Sequence, residues 1–339
     1  MRVLVFGSGA IGGLVGAGLI DAGADVALLD RGSQYSALKS GGLRLVDREG
    51  RVRTLTSMRV VREPSEFPHM ELVILAVKAH QIAPALVALK KAVADGATLL
   101  TLQNGIPWWY FQRTDGEFAG RALQAVDRDG VLASGIDARQ IVGCIAYPAV
   151  ELVEPGLVRH VEGDRFPIGE MDGSRSARCA DISELLERAG FKSPVLDDVR
   201  SEIWVKAWGT LAFNPVSALT GMTMAEICRS PDARALVVRM MTEAREIATR
   251  LGVTMRVPLE KRLLGAERVG HHKTSMLQDL EAGRPLEIEA ILGAVVELGE
   301  LVGAQADTLR SVLELTRAID PGRRVRAAGG AAVEAAVAS

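Results

Sequence analysis

The first twelve residues constrain this chain most. An apolar run, Arg2 to Phe6, breaks directly into Gly7-Ser8-Gly9-Ala10-Ile11-Gly12, and a helix-compatible stretch follows to Ala22. A strand that turns through glycines into a helix leaves the N–H groups of the helix start facing outward, where anionic groups bind. Gly7 suits the tight turn, Gly9 lets the backbone approach a pyrophosphate, and Gly12 lets helix and strand pack closely. The six residues Gly7, Ser8, Gly9, Ala10, Ile11 and Gly12 therefore read as the phosphate-binding turn of a Rossmann-type dinucleotide site.

The alternation continues. Strand-like runs at Val26–Leu29, Leu72–Val77, Thr98–Leu102 and Ile141–Tyr147 are separated by helical stretches such as Ile82–Val93, the pattern of a parallel sheet covered by helices. Val158–Glu162 and Phe166–Ile168 read as a closing antiparallel pair. Beyond Ser176 the periodicity becomes helical, with one short apolar run at Ser193–Leu196 and long helices expected at Ser201–Leu219, Asp232–Leu251, Glu287–Val302 and Thr308–Ile319. The reading is an α/β N-terminal Rossmann-type domain over residues 1–197, an all-α C-terminal domain over 198–320, and a frayed tail over 321–339. Asp197 and Asp198 supply cap-type residues at the division.

Lys and Arg number 40 against 42 Asp and Glu, so no basic footprint for nucleic acid or an anionic membrane exists. The N-terminal apolar run is too short for a signal sequence or a spanning helix, and the expected location is the cytoplasm. Cys144, Cys179 and Cys228 are widely spaced and carry no assigned chemistry. His271-His272 lacks a third ligand on one helical face, so no metal is expected. A homodimer is left open.

The cofactor choice turns on Leu29-Asp30-Arg31, about 20 residues past the glycine loop, where the adenine ribose is read. Asp30 could accept from the 2′-hydroxyl of NAD. Arg31 could pair with the 2′-phosphate of NADP, and an Arg directly after the strand favours NADPH over NADH. Lys78, in Val77-Lys78-Ala79, and Asn104, in Gln103-Asn104-Gly105, stand at the carboxyl ends of buried strands, where open α/β sheets bind ligands. In the helical half Lys206, flanked by Trp204 and Trp208, and Asn214 are eight positions apart and share a face.

With Ser275-Met276-Leu277-Gln278-Asp279 and Glu287-Ile288-Glu289, this ordered set resembles the ketopantoate reductase (2-dehydropantoate 2-reductase) family from Met1 to about Asp320. The resemblance implies a Rossmann domain followed by a helical domain, with the active site in the cleft between them. It implies NADPH-dependent reduction of a 2-oxo acid to a 2-hydroxy acid, ketopantoate to pantoate in pantothenate biosynthesis. Lys206 corresponds to the general acid and Glu287 to the acidic residue that bonds the substrate hydroxyl. Asn104, Asn214 and Ser275 correspond to substrate ligands, Lys78 to the lysine flanking cofactor and substrate, and Arg31 to the phosphate reader.

Two features depart from the pattern. Thr210, one turn after Lys206, stands where the family usually has Asn. Trp108-Trp109-Tyr110-Phe111 is followed by a long polar segment from Gln112 to about Asp137. Both admit a bulkier 2-oxo or 2-hydroxy acid as substrate. A non-catalytic NADP(H)-binding regulator is the reading of another class; a pure binder has no need of both Lys206 and Glu287.

Overall fold

The computed structural model describes residues 1–270 and 272–323. His271 and most of the expected tail lie outside them; Arg323, at the tail's start, is described and pairs with Glu289 at 3.0 Å. The chain forms two compact units, one of Met1–Ala122 with Asp127–Glu202, the other of Leu123–Val126 with the residues from Ile203 onward.

In the first unit the strands are β1 (Arg2–Phe6), β2 (Asp25–Leu29), β3 (Leu43–Val46), β4 (Val52–Leu55), β5 (Arg59–Val61), β6 (Leu72–Leu75), β7 (Thr98–Thr101), β8 (Ile141–Cys144), β9 (Ala149–Glu154), β10 (Leu157–Glu162) and β11 (Ile168–Glu170). One sheet runs β11-β8-β7-β6-β1-β2-β5, parallel except for β11, and the other runs β4-β3-β10-β9. β1 and β6 are wholly apolar apart from Arg2 because central parallel strands are covered on both faces.

Helix α1 (Ala10–Asp21) explains the second sheet. Its residues Gly12 through Leu19 are all buried, so it has no polar face to give to water. It packs against β1 and β2 on one side and β3, β9 and β10 on the other. The remaining helices of this unit are α2 (Gly32–Gly41), α3 (Ala79–Ile82), α4 (Leu86–Ala92), α5 (Val131–Gly135) and α6 (Ala177–Arg188).

Three sequence expectations are corrected here. The single helix over Ile82–Val93 is divided between α3 and α4 by a 3-10 turn at Ala83–Ala85, because Pro84 brings no N–H for a continuous helix. Val158–Glu162 does not pair with Phe166–Ile168. β10 is already bonded on both sides, antiparallel to β9 across Pro155-Gly156 and parallel to β3, while β11 closes the large sheet against β8. Strands β3, β4, β5 and β9 were not anticipated, since β3, β4 and β9 are short and interrupted by Arg or Glu and β5 is only three residues long.

The second unit is helical: most of α7 (Val199–Thr220), then α8 (Met224–Arg229), α9 (Pro231–Arg250), α10 (Leu259–Arg268), α11 (Ser275–Glu281), α12 (Ala294–Leu301) and α13 (Asp307–Ile319). The helix expected over Glu287–Val302 opens instead with a π-turn at Glu289–Gly293. Gly293 leaves room for the Glu289 carboxylate, with which a Cβ there would collide and which Arg317 holds at 2.9 Å. Residues of the long polar segment join this unit, for Gln124 and Ala125 each donate a main-chain N–H to the Glu297 carboxylate at 2.8 Å. Among the described residues no helix is long and apolar enough to cross a membrane.

Candidate active site

The glycine turn sits where β1 ends. Gly7 has φ +98°, and a Cβ on it would stand 2.5 Å from a Val77 methyl. A Cβ on Gly12 would strike the Gly7 carbonyl and lie 3.0 Å from the Ala76 side chain. Gly9 behaves differently. A Cβ there would meet nothing within 4 Å, and no side chain caps α1, so the start of the helix presents an open backbone surface. That surface suits a pyrophosphate, which needs close backbone approach and helix-start N–H groups.

Two side chains brace the turn from behind. Asp30 accepts from the Ser8 N–H at 2.7 Å and the Ser8 hydroxyl at 2.8 Å, and its other oxygen accepts from the Arg31 N–H. Gln34 donates to the Ser8 carbonyl at 2.6 Å and accepts from the Gly156 N–H at 2.9 Å. Asp30 thus has a role besides that of candidate ribose reader, and no sequence motif marks Gln34 for its part. Arg31 pairs with Glu63 at 2.9 Å in an exposed contact. Exposed pairs of this kind contribute little, so a better anionic partner can displace it. Arg62 stacks 4.2 Å from the centre of the Tyr35 ring near the same strand ends.

Lys78 and Asn104 follow β6 and β7, which are neighbours. Between them Gln103 donates to the carbonyls of Leu75 and Val77, at 2.8 and 3.0 Å, and so ties the two strand ends together. Lys78 opens α3, its N–H bonded to the Gln81 side chain at 2.9 Å, and both Lys78 and Asn104 are half-buried. The aromatic run lies in the interior: Trp108, Trp109, Tyr110 and Phe111 are each buried. Trp109 donates to Thr101 at 3.1 Å, and Arg200 grips the carbonyls of Tyr110 and Gln112 at 2.7 and 2.6 Å. Burial pulls the Arg200 pKa below its ordinary value, and the nearby charges of Asp198 and Asp172 offset that only in part.

In the helical unit α7 places the remaining residues. Trp204 and Trp208 are four apart and fully buried, and Trp208 donates to the Met241 carbonyl of α9 at 2.6 Å. At about 100° per residue Lys206 stands on the side of α7 away from the two tryptophans. Lys206 and Thr210 are half-buried, Asn214 is buried, and the three form one row at four-residue spacing. The Thr210 hydroxyl donates to the Lys206 carbonyl at 3.2 Å. Asn214 donates to the Ser275 hydroxyl at 3.4 Å, bringing the start of α11 to the row. Glu287 is half-buried just ahead of the π-turn, and Leu286 beside it is fixed by the Asp320 carboxylate at 3.1 Å. Among the described residues no group of three or more His, Cys, Asp or Glu is arranged to hold a metal ion.

Known proteins match both halves of the chain. Residues 3–173 match the family described as ketopantoate reductase PanE/ApbA, and residues 198–320 match its C-terminal family. A 2-dehydropantoate 2-reductase of Mesorhizobium japonicum is 45% identical over 318 residues, covering 94% of this chain and 97% of that protein. The crystal structure of 2-dehydropantoate 2-reductase from Geobacter metallireducens superposes with a TM-score of 0.82 at 27% identity, covering 94% of this chain and 99% of the other. D-mandelate dehydrogenase, solved with NADH and anilino(oxo)acetate, shares the fold at 20% identity with a TM-score of 0.81, over 94% of this chain and 98% of its own. With both halves of the chain matched in order, and a relative at 45% identity across nearly its whole length, the protein belongs to the ketopantoate reductase family of oxidoreductases.

Proposed function

We propose that the protein reduces 2-dehydropantoate to pantoate with NADPH. The observation that carries the reading is the row Lys206, Thr210, Asn214 on one side of α7 with Ser275 bonded to its end. Bound at the glycine turn, the nicotinamide cofactor would supply hydride to C2 of the 2-oxo acid. Gly7, Ser8, Gly9, Ala10, Ile11 and Gly12 hold its pyrophosphate, and Arg31 exchanges Glu63 for the 2′-phosphate. Asp30 supports this choice over NADH, because its two oxygens already serve Ser8 and the Arg31 backbone.

A carbonyl that takes up hydride becomes an alkoxide, and its charge must be neutralised as it forms. Lys206 delivers that proton at the carbonyl oxygen. Glu287 accepts a hydrogen bond from the substrate hydroxyl, while Asn104, Asn214 and Ser275 orient the polar groups and Lys78 flanks cofactor and substrate. Thr210 turns its hydroxyl onto the helix backbone and leaves no amide at that turn. That one observation favours a second reading, a bulkier 2-oxo acid. The experiment is to follow NADPH and NADH oxidation against a panel of 2-oxo acids. A kcat/KM highest for 2-dehydropantoate with NADPH supports the proposal; a higher value for an aryl or branched 2-oxo acid replaces it with the second reading.

A further inference from the structure

Gly209 lies within α7, a 22-residue helix, and its φ is not positive, so the backbone does not require glycine there. A mid-helix glycine weakens a helix relative to alanine. The space it opens is filled by one group: a Cβ on Gly209 would stand 3.0 Å from both Nε and Nη2 of Arg262, on α10. Nη2 also lies 3.5 Å from the Lys206 carbonyl, a long and therefore weak hydrogen bond. Positions 206, 209 and 210 are neighbours on a helix surface. The half-buried Arg262 side chain thus lays its guanidinium against the α7 main chain at Lys206 and Gly209, one flank of the row that carries Lys206 and Thr210.

Resting on the 2-oxo acid reading above, we propose that Arg262 binds the substrate carboxylate. A 2-oxo acid carries its carboxylate on the carbon next to the carbonyl, so a cation beside Lys206 meets it when Lys206 meets the carbonyl oxygen. A guanidinium offers two parallel N–H groups to the two carboxylate oxygens. Thr210 supplies no amide for this task, its hydroxyl being spent on the Lys206 carbonyl. Gly209 is the residue that gives the guanidinium its place.

The test is calorimetric titration of the full chain, saturated with NADP+, by 2-dehydropantoate and by its neutral methyl ester, in wild type, Arg262→Ala, Arg262→Lys and Gly209→Ala. In Arg262→Ala the Kd for the acid rises at least tenfold and that for the ester stays within twofold; Arg262→Lys recovers part of the loss. Gly209→Ala, which keeps the arginine and shifts its guanidinium by a few tenths of an ångström, shows a smaller loss with the same preference for the acid over the ester. Equal weakening of acid and ester, or an unchanged Kd for the acid, overturns the proposal and leaves Arg262 as a strut between helices. Should Arg262→Ala not fold, Arg262→Lys and Gly209→Ala decide by the same ratio. Acid binding that depends on Arg262 in a wild type that oxidises neither NADPH nor NADH sinks the reaction alone. A wild type that binds no 2-oxo acid sinks both.

Discussion

The carboxylate of Asp30 holds Ser8 at two atoms, the main-chain N–H at 2.7 Å and the hydroxyl at 2.8 Å. Hydrogen bonds to a charged group contribute about 1.5–3 kcal/mol each to whatever they order. Asp30→Ala therefore loosens the turn and raises the KM of NADPH and NADH together, by about tenfold or more. A loss confined to NADH would instead identify Asp30 as the ribose reader.

Arg31→Ala gives the opposite signature. A guanidinium–phosphate pair is charge-assisted and often bidentate, so its removal raises the NADPH KM at least about tenfold and leaves NADH nearly unchanged. Steady-state kinetics with both nucleotides checks this. Equal effects would place recognition of the 2′-phosphate on another residue, the next candidate being Arg62, which follows β5 beside β2.

Lys206→Ala lowers kcat by about 10²–10⁴ with little change in NADPH affinity, because the proton is needed most as the alkoxide forms. Single-turnover kinetics and nucleotide titration separate the two quantities. A variant that retains most of its turnover moves the acid elsewhere, first to Lys78.

Thr210→Asn restores an amide one turn from Lys206 and removes the hydroxyl that bonds the Lys206 carbonyl. With 2-dehydropantoate as substrate, kcat/KM holds or improves, since a net hydrogen bond contributes about 0.5–1.5 kcal/mol. With a bulkier acid the added volume impairs turnover. The ratio of kcat/KM for 2-dehydropantoate to that for an aryl 2-oxo acid, in both proteins, measures it; an unmoved ratio means that residue 210 does not face substrate.

Glu170 contributes to acid stability. Burial by itself would raise its carboxyl pKa, but Arg178, bonded at 2.6 Å to each oxygen, and Ser176 hold it below the ordinary value. The unfolded carboxyl takes up a proton near pH 4.3, the folded one only at lower pH. Its stabilisation is present above that pH and is lost as acidification passes the folded pKa. Glu170→Gln leaves Arg178 without its charge partner, costs about 3 kcal/mol at neutral pH, and flattens the acid limb of the stability curve. Urea unfolding between pH 3 and 7 reads both effects; parallel curves for the two proteins would refute the assignment.

The parallel sheet was legible because β1, β2, β6 and β7 are short apolar runs bounded by turns, and the Lys206 row because four-residue spacing is enough to place side chains on one side of a helix. The second sheet was not, since β3, β4 and β9 alternate charge with apolar residues over only four to six positions. A signal for it did exist in α1, whose lack of a polar face requires cover on both sides. The bracing role of Asp30 was not legible, because its residue type fits a ribose reader and its bonds to Ser8 appear only in the folded chain. Arg262 stood in the charged stretch Glu260-Lys261-Arg262, which reads as a solvated helix surface until Gly209 is seen beneath it.

The Glu297 carboxylate that receives Gln124 and Ala125 makes the helical unit discontinuous in sequence. No single cut severs it. A fragment starting at Ile203 would lack Leu123, whose side chain is fully buried, and would leave the Glu297 carboxylate without its two N–H donors. A fragment ending at Glu202 would carry Leu123–Val126 with nothing to receive them. During synthesis that short segment leaves the ribosome more than a hundred and fifty residues before α12 exists to bind it, since Val126 precedes Ala294 by 168 positions. Completion of the second unit must therefore wait for nearly the whole chain, and the two units mature as one covalent product.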